Sequence, residues 1–207
     1  MGTITLMLII IISLTSAVAF SQKETMAQLQ FNAFLVYHRR QFYRVFTNSL
    51  VHANWEHLIV NMIVLYSFGT AVEHYFRLYF GSIGTYYYMI LFFGSVVFSN
   101  LWSLYKQKDN FYYNAVGASG AVSAILFTAI FFDPWNNIYF FGVLPIPGII
   151  FGGLYLYYSY YMSTKKMDNI GHDAHFLGAV FGFFFPVIIQ PSLMMGFFQM
   201  LFGRITQ

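Results

Sequence analysis

Apolar residues fall into six long blocks separated by short polar stretches. The first, Ile4 to Phe20, carries no charge and predicts a helix. It also has the look of a signal peptide, with Ala17-Val18-Ala19 as a cleavage-like site, but no Lys or Arg precedes Lys23, so the basic leader of a signal is missing. Further helices are predicted over about Trp55–Phe76, Thr85–Tyr105, Ala118–Phe132, Leu144–Met162 and Asp173–Ile189. The fourth ends ahead of Asp133-Pro134, since proline disfavours helix in the residue before it. The fifth carries Pro145 and Pro147 in its first turn, and the sixth stops at Gln190-Pro191.

Between the blocks, residues 21–53 are the most polar stretch. Lys23, Glu24, Arg39, Arg40 and Arg44 alternate there with aromatics, which predicts a loop lying at a membrane interface. Arg77 marks a short connection. Polar loops are expected at Lys106–Asn114 and, with Lys165, Lys166 and Asp168, at Ser163–Gly171. The tail 192–207 reads as an interfacial helix.

Composition says what surrounds these helices. Of 207 residues, 58% are hydrophobic and 22% aromatic, and only 8% are charged. A soluble domain carries roughly 25% charged residues, so the chain lacks the charge to cover a water-facing surface. High hydrophobicity with low charge also excludes disorder. A mean hydropathy of +0.61 and spans of ~20 residues each predict an all-α fold. The chain reads as a polytopic membrane helix bundle of six transmembrane helices, one membrane domain over 1–207. With no cysteine, disulfides, a thiol nucleophile and thiolate metal sites are excluded. A net charge of +3, scattered along the chain, excludes a nucleic-acid partner.

Polar residues in an apolar bundle are costly and mark functional candidates. Gly117-Ala118-Ser119-Gly120 opens the fourth helix. A serine there sits among unpaired N–H groups at the positive end of the helix dipole, a place suited to a nucleophile whose product is an oxyanion; the same tetrapeptide also serves simple helix packing through small residues. In Gly171-His172-Asp173-Ala174-His175, His175 shares a helix face with Gly178, and Gly178 and Gly182 form a stripe that lets a partner helix come close. His52, His57 and Asn61 form the third cluster, with His57 and Asn61 one above the other at i and i+4, able to donate toward one point or to bond a neighbouring helix.

Taken in order, these motifs resemble the rhomboid family of intramembrane serine proteases. The matching residues are Tyr43-Arg44, His57-x-x-x-Asn61, Gly117-Ala118-Ser119-Gly120 and Ala174-His175-x-x-Gly178-x-x-x-Gly182, with Gly69 and Glu73 also fitting. The resemblance implies Ser119 as nucleophile and His175 as its base in a Ser–His dyad, with no third acid. His57, Asn61 and the Ser119 backbone N–H would stabilise the oxyanion, Gly117 would line the same site, and Arg44 would brace the first loop. It implies no cofactor and no metal. The partners it implies are transmembrane segments of single-pass proteins and the lipid bilayer, the enzyme being a monomer.

Two departures stand out. Tyr43 replaces the usual tryptophan before Arg44, and Ser123 stands four residues after Ser119, where some members carry an aromatic that packs on the catalytic imidazole. His172 is a competing base, and the glycine register favours His175. A haem or metal protein is a rival class, without a His-Glu-x-x-His motif to support it. A transporter has only Glu73 as an intramembrane acid, and a non-catalytic, client-binding relative would have lost Ser119 or His175.

With six spans both termini share one side, and the loops after the first, third and fifth helices hold eight of the ten basic residues. The positive-inside rule would make that loop side cytoplasmic. The resemblance implies the reverse, with the termini in the cytoplasm and the active-site loops outside, and a bacterial inner membrane as the setting; the basic residues of the first loop would then hold an interfacial structure.

Overall fold

A computed structural model describes residues 2–140, 142–165 and 171–203. Its helices are α1 (Thr3–Ser21), α2 (Lys23–Leu29), α3 (Ala33–Arg39), α4 (Arg44–Thr47), α5 (Trp55–Phe80), α6 (Gly84–Gln107), α7 (Ser119–Phe132), α8 (Gly148–Lys165), α9 (His172–Ile189) and α10 (Leu193–Gly203). Two short antiparallel ribbons join them. β1 (Phe31–Asn32) pairs with β2 (Asn114–Ala115), and β3 (Asn137–Phe140) with β4 (Leu144–Pro147).

Helix α7 is the axis of the bundle. Every residue from Gly120 to Phe132 is buried, as expected of a helix apolar on all sides. Its broadest contact among the described residues is with α9. Glycine makes that contact possible: a Cβ on Gly178 would lie 2.0 Å from the Gly120 carbonyl oxygen, and one on Gly182 would lie 2.0 Å from that of Ala124. The Thr128 hydroxyl then donates across the seam to the Gly182 carbonyl at 2.7 Å.

Helix α1 is bound into the bundle by buried polar contacts. The Glu73 carboxylate on α5 accepts from the Thr5 backbone N–H (2.5 Å) and the Thr5 hydroxyl (2.6 Å). Since the Thr5 proton is committed to Glu73, the Tyr88 hydroxyl of α6, 2.8 Å away, donates to Thr5. Glu73 is thus a satisfied structural carboxylate, and Gly69 leaves room for the Thr5 and Tyr88 side chains. Removing α1 would strip Glu73 of these donors.

By length and composition, Thr3–Ser21, the run Trp55–Gln107 that comprises α5 and α6, and His172–Ile189 can cross a membrane. At 14 residues α7 is shorter than a full span.

Four boundaries differ from expectation. The fifth helix starts at Gly148, and Leu144–Pro147 is strand β4. Pro145 and Pro147 face Tyr139 and Asn137 at alternate positions of the ribbon, where a residue without an N–H breaks no ladder bond. Arg77 lies in the last turn of α5 and not in a connection. Residues 21–53, expected as a loop, fold into α2, α3, α4 and a 3-10 turn at Asn48–Leu50. The loop expected at Ser163–Gly171 is helical up to Lys165, and 166–170 lie outside the described residues, as does the end of the tail, 204–207.

Candidate active site

Three elements converge at the head of α7. The first loop arrives from one side. Arg44, almost fully buried, pins it by donating to the Gln41 side chain (2.6 Å) and to the carbonyls of Ala27 (2.7 Å) and Gln30 (2.9 Å). The loop reaches α6 through the Asn48 and Asn100 side chains at 3.2 Å, and the Asn48 carbonyl accepts from the Gly117 N–H at 2.9 Å. Gly117 adopts φ 118°, a conformation that favours glycine. A Cβ there would lie 2.6 Å from His57 Cε1. The absent side chain is therefore what lets the His57 ring rest on the backbone leading to Ser119.

His52, left without a role by the sequence, completes this junction. It is fully buried. Its Nε2 accepts from the Ala118 N–H at 3.4 Å, and its Nδ1 lies 3.0 Å from the Ser16 hydroxyl, which itself lies 3.0 Å from the Leu50 carbonyl. Only one assignment satisfies all three: Nδ1–H donates to Ser16, and Ser16 donates to Leu50. That requires a neutral ring. Burial first, and the nearby His57 second, push the His52 pKa down to about 3.

Ser119 is the first residue of α7 and is half-buried. The first intrahelical bond runs from the Val122 N–H to the Ala118 carbonyl, and no side chain caps the helix. The N–H groups of Ser119, Gly120 and Ala121 thus precede the helical ladder, where they can face an anion.

The third element is the start of α9. A Cβ on Gly120 would meet the Ser99 hydroxyl at 2.4 Å and the Ala174 carbonyl at 3.3 Å. The residues next to Ser119 and His175 therefore touch through backbone. The half-buried His175 ring stacks on Tyr155 of α8 (6.3 Å between centroids, 23°). His172 is buried and lies edge-on to Tyr158 (5.5 Å) and to His175 (5.8 Å). Asn61, buried on α5, donates from Nδ2 to the His57 carbonyl at 2.7 Å, which leaves its second amide hydrogen to other acceptors. The structure thus gathers Gly117, Ser119, His57 and His175 at one end of the bundle, with Asn61 one turn below His57. The sequence put His52 in a candidate cluster without giving it a role, and it did not reveal Tyr155 as part of this site.

The rhomboid domain family matches residues 39–192, about three quarters of the chain, and the chain belongs to the rhomboid family. It is an integral membrane protein of that family, a mostly helical bundle. A curated relative, RHOMBOID-like protein 12, mitochondrial, of Arabidopsis thaliana, is 28% identical over 147 residues. The match covers 67% of this chain and 44% of that protein, so the chain spans less than half the length of the relative.

Proposed function

We propose that the chain is an intramembrane serine endopeptidase that cuts transmembrane segments of single-pass membrane proteins with a Ser119–His175 dyad. The observation that carries this reading is the placing of Ser119 at an uncapped helix start while the neighbouring Gly120 rests on the backbone beside His175. Ser119 Oγ attacks the scissile carbonyl carbon as His175 takes the hydroxyl proton. The tetrahedral oxyanion is met by the Ser119 N–H, His57 and Asn61, with Gly117 lining the site. Collapse breaks the C–N bond, and His175 passes its proton to the departing nitrogen. Water, deprotonated by His175, then releases the acyl group from Ser119.

Depth follows from length. The 14 residues of α7 rise ~21 Å, against a hydrocarbon thickness of ~30 Å. With its far end at the opposite face, α7 places Ser119 below the surface, at the floor of a cavity open to water. In this reading α1, α5, α6, α7, α8 and α9 are the six membrane helices of one domain acting as a monomer, both termini lying opposite the active-site mouth. A reporter fused at Gln207 is expected on the cytoplasmic face; its appearance on the other face would reverse the orientation. The relative is mitochondrial by name, so a bacterial inner membrane finds no support there.

The test is labelling of purified protein in detergent by a fluorophosphonate probe. Wild type is expected to label, and Ser119→Ala and His175→Ala to lose both labelling and cleavage of a transmembrane substrate while remaining folded. Full activity in either variant would overturn the dyad. A folded wild type that never labels would favour a non-catalytic rhomboid that binds membrane clients. Asn61→Ala should lower the rate roughly 10²-fold as an oxyanion donor.

A further inference from the structure

The seam between α7 and α9 fixes where the His175 backbone lies. The direction of the ring is set in addition by two side-chain torsions, the second of them broad and shallow, and by the groups packed on it. His172 flanks the ring edge-on at 5.8 Å from its own helix, and Tyr155, from a third helix, lies against it. Tyr155 stacks on His175 at 6.3 Å and 23°, within the range of favourable offset ring pairs.

Tyr155 is itself held. Phe151 stacks on it at 6.0 Å and 27°, and Phe127 of α7 tilts against it at 5.6 Å. Its hydroxyl lies 2.6 Å from the Ser123 hydroxyl. Ser123 is buried and sits one turn after Ser119 on the same face of α7. A closed circuit results: Ser119 and Ser123 on α7, Tyr155 on α8, His175 on α9, and back to α7 through the glycine seam.

We propose that Tyr155, anchored by Ser123, is the positioning residue that orients the His175 imidazole toward Ser119, so that the geometry of the base is set from α8. The role rests on the protease reading above. It also gives Ser123 a purpose. A hydroxyl there reaches an aromatic ring supplied by another helix, which takes up the place beside the imidazole.

Four variants test this: Tyr155→Leu, Tyr155→Phe, Ser123→Ala and the Tyr155→Phe/Ser123→Ala double variant, each checked for folding by its thermal midpoint. Loss of the ring in Tyr155→Leu should lower kcat and the probe-labelling rate about 100-fold, the scale of a small misplacement of a reacting group, with KM little changed. Tyr155→Phe keeps the stack and loses the anchor, as does Ser123→Ala; each should cost about three- to tenfold. The double variant should be no worse than either single one, because both hydroxyls serve one bond.

Nuclear magnetic resonance of the His175 Cε1–H, assigned by its loss in His175→Ala, reads the contact without reference to activity. Tyr155→Leu should shift this resonance by removing the ring current, and Tyr155→Phe should leave it near the wild-type position. Wild-type kcat in Tyr155→Leu, or an unmoved resonance, would overturn the proposal while the dyad stood. Should Tyr155→Leu fail to fold, additive losses in Tyr155→Phe and Ser123→Ala would overturn it equally. A folded, unlabelled wild type would remove the protease reading and this role with it.

Discussion

Helix α7 is gripped in two unlike ways. On the α9 side backbone rests on backbone: carbonyl oxygens of Gly120 and Ala124 occupy the space where side chains of Gly178 and Gly182 would stand. On the α8 side the contact is sparse. Only Gly148, Gly152 and Ser159 of α8 are buried, and Leu154, Tyr157, Tyr158, Tyr160 and Tyr161 face outward. Without water to drive helices together in a membrane, close approach through small residues is the available glue; α9 has it and α8 largely does not. The difference separates two tasks. The positions of Ser119 and His175 come from a seam that cannot give, and in the proposed protease the His175 ring is turned from a helix that can.

The largest effect is expected where the seam is forced open. Gly182→Ala or Gly178→Ala puts a methyl group 2.0 Å from a carbonyl oxygen, and only separation of the helices relieves it. The cost should be about 3 kcal/mol or more, read as a large fall in thermal midpoint together with loss of probe labelling. A variant that kept its midpoint would mean that α7 and α9 are held by something other than this register.

The next effect concerns the head of α7, locked by His52. Below its ordinary pKa of 6.5 the unfolded chain takes up a proton that the folded site, with a pKa of about 3, refuses. This contribution is fully present above pH 6.5 and is lost as the pH falls toward 3, by up to ~1.4 kcal/mol per pH unit. Wild-type thermal midpoints should therefore drop from pH 7.5 to 4.5. His52→Gln should start lower and fall less steeply, since it cannot bind the proton. Parallel slopes in the two proteins would place the acid sensitivity elsewhere.

Much of the rigid half was legible in the chain. Gly178-x-x-x-Gly182 announces a close helix contact, and Gly117-Ala118-Ser119-Gly120 announces a helix start, because small residues at fixed spacing have few other uses in an apolar helix. The softer half was not legible. The pairing of Tyr155 with Ser123 spans 32 positions, and nothing local marks one tyrosine among the many of α8 as the inward one. Pro145 and Pro147 misled for a physical reason: proline suits the first turn of a helix and the non-bonding sites of a ribbon equally, and the pairing with β3 decided between them. Residues 21–53 hid short helices because each is only a turn or two long, held by bonds such as those of Arg44 and not by a periodic apolar face.

A smaller effect is expected from a bond that spans the seam without shaping it. Thr128→Val keeps the volume of the side chain and removes the hydroxyl that donates to the Gly182 carbonyl. The loss should be about 1 kcal/mol, seen as a modest fall in midpoint with labelling retained. A loss as large as that of Gly182→Ala would mean that the hydroxyl, and not the absence of a Cβ, holds the two helices in register.

The smallest effect should come from repeating the seam substitution on the other side of α7. A Cβ on Gly152 would lie 3.4 Å from Ile130 Cδ1 and 3.4 Å from Phe127 Cε1. Both are ordinary contact distances, and both atoms belong to side chains and not to backbone. Exchanging glycine for alanine in a helix interior gains up to ~1 kcal/mol of helix propensity, which offsets the small repacking. Gly152→Ala should therefore leave the thermal midpoint unchanged or raise it slightly, and should label like wild type, since Tyr155 keeps its seat one turn away. A destabilisation comparable to that of Gly182→Ala would show that α8 is seated as tightly as α9. A stable Gly152→Ala protein with slowed labelling would show the opposite extreme, in which a shift of α8 too small to affect folding is already felt by the His175 ring.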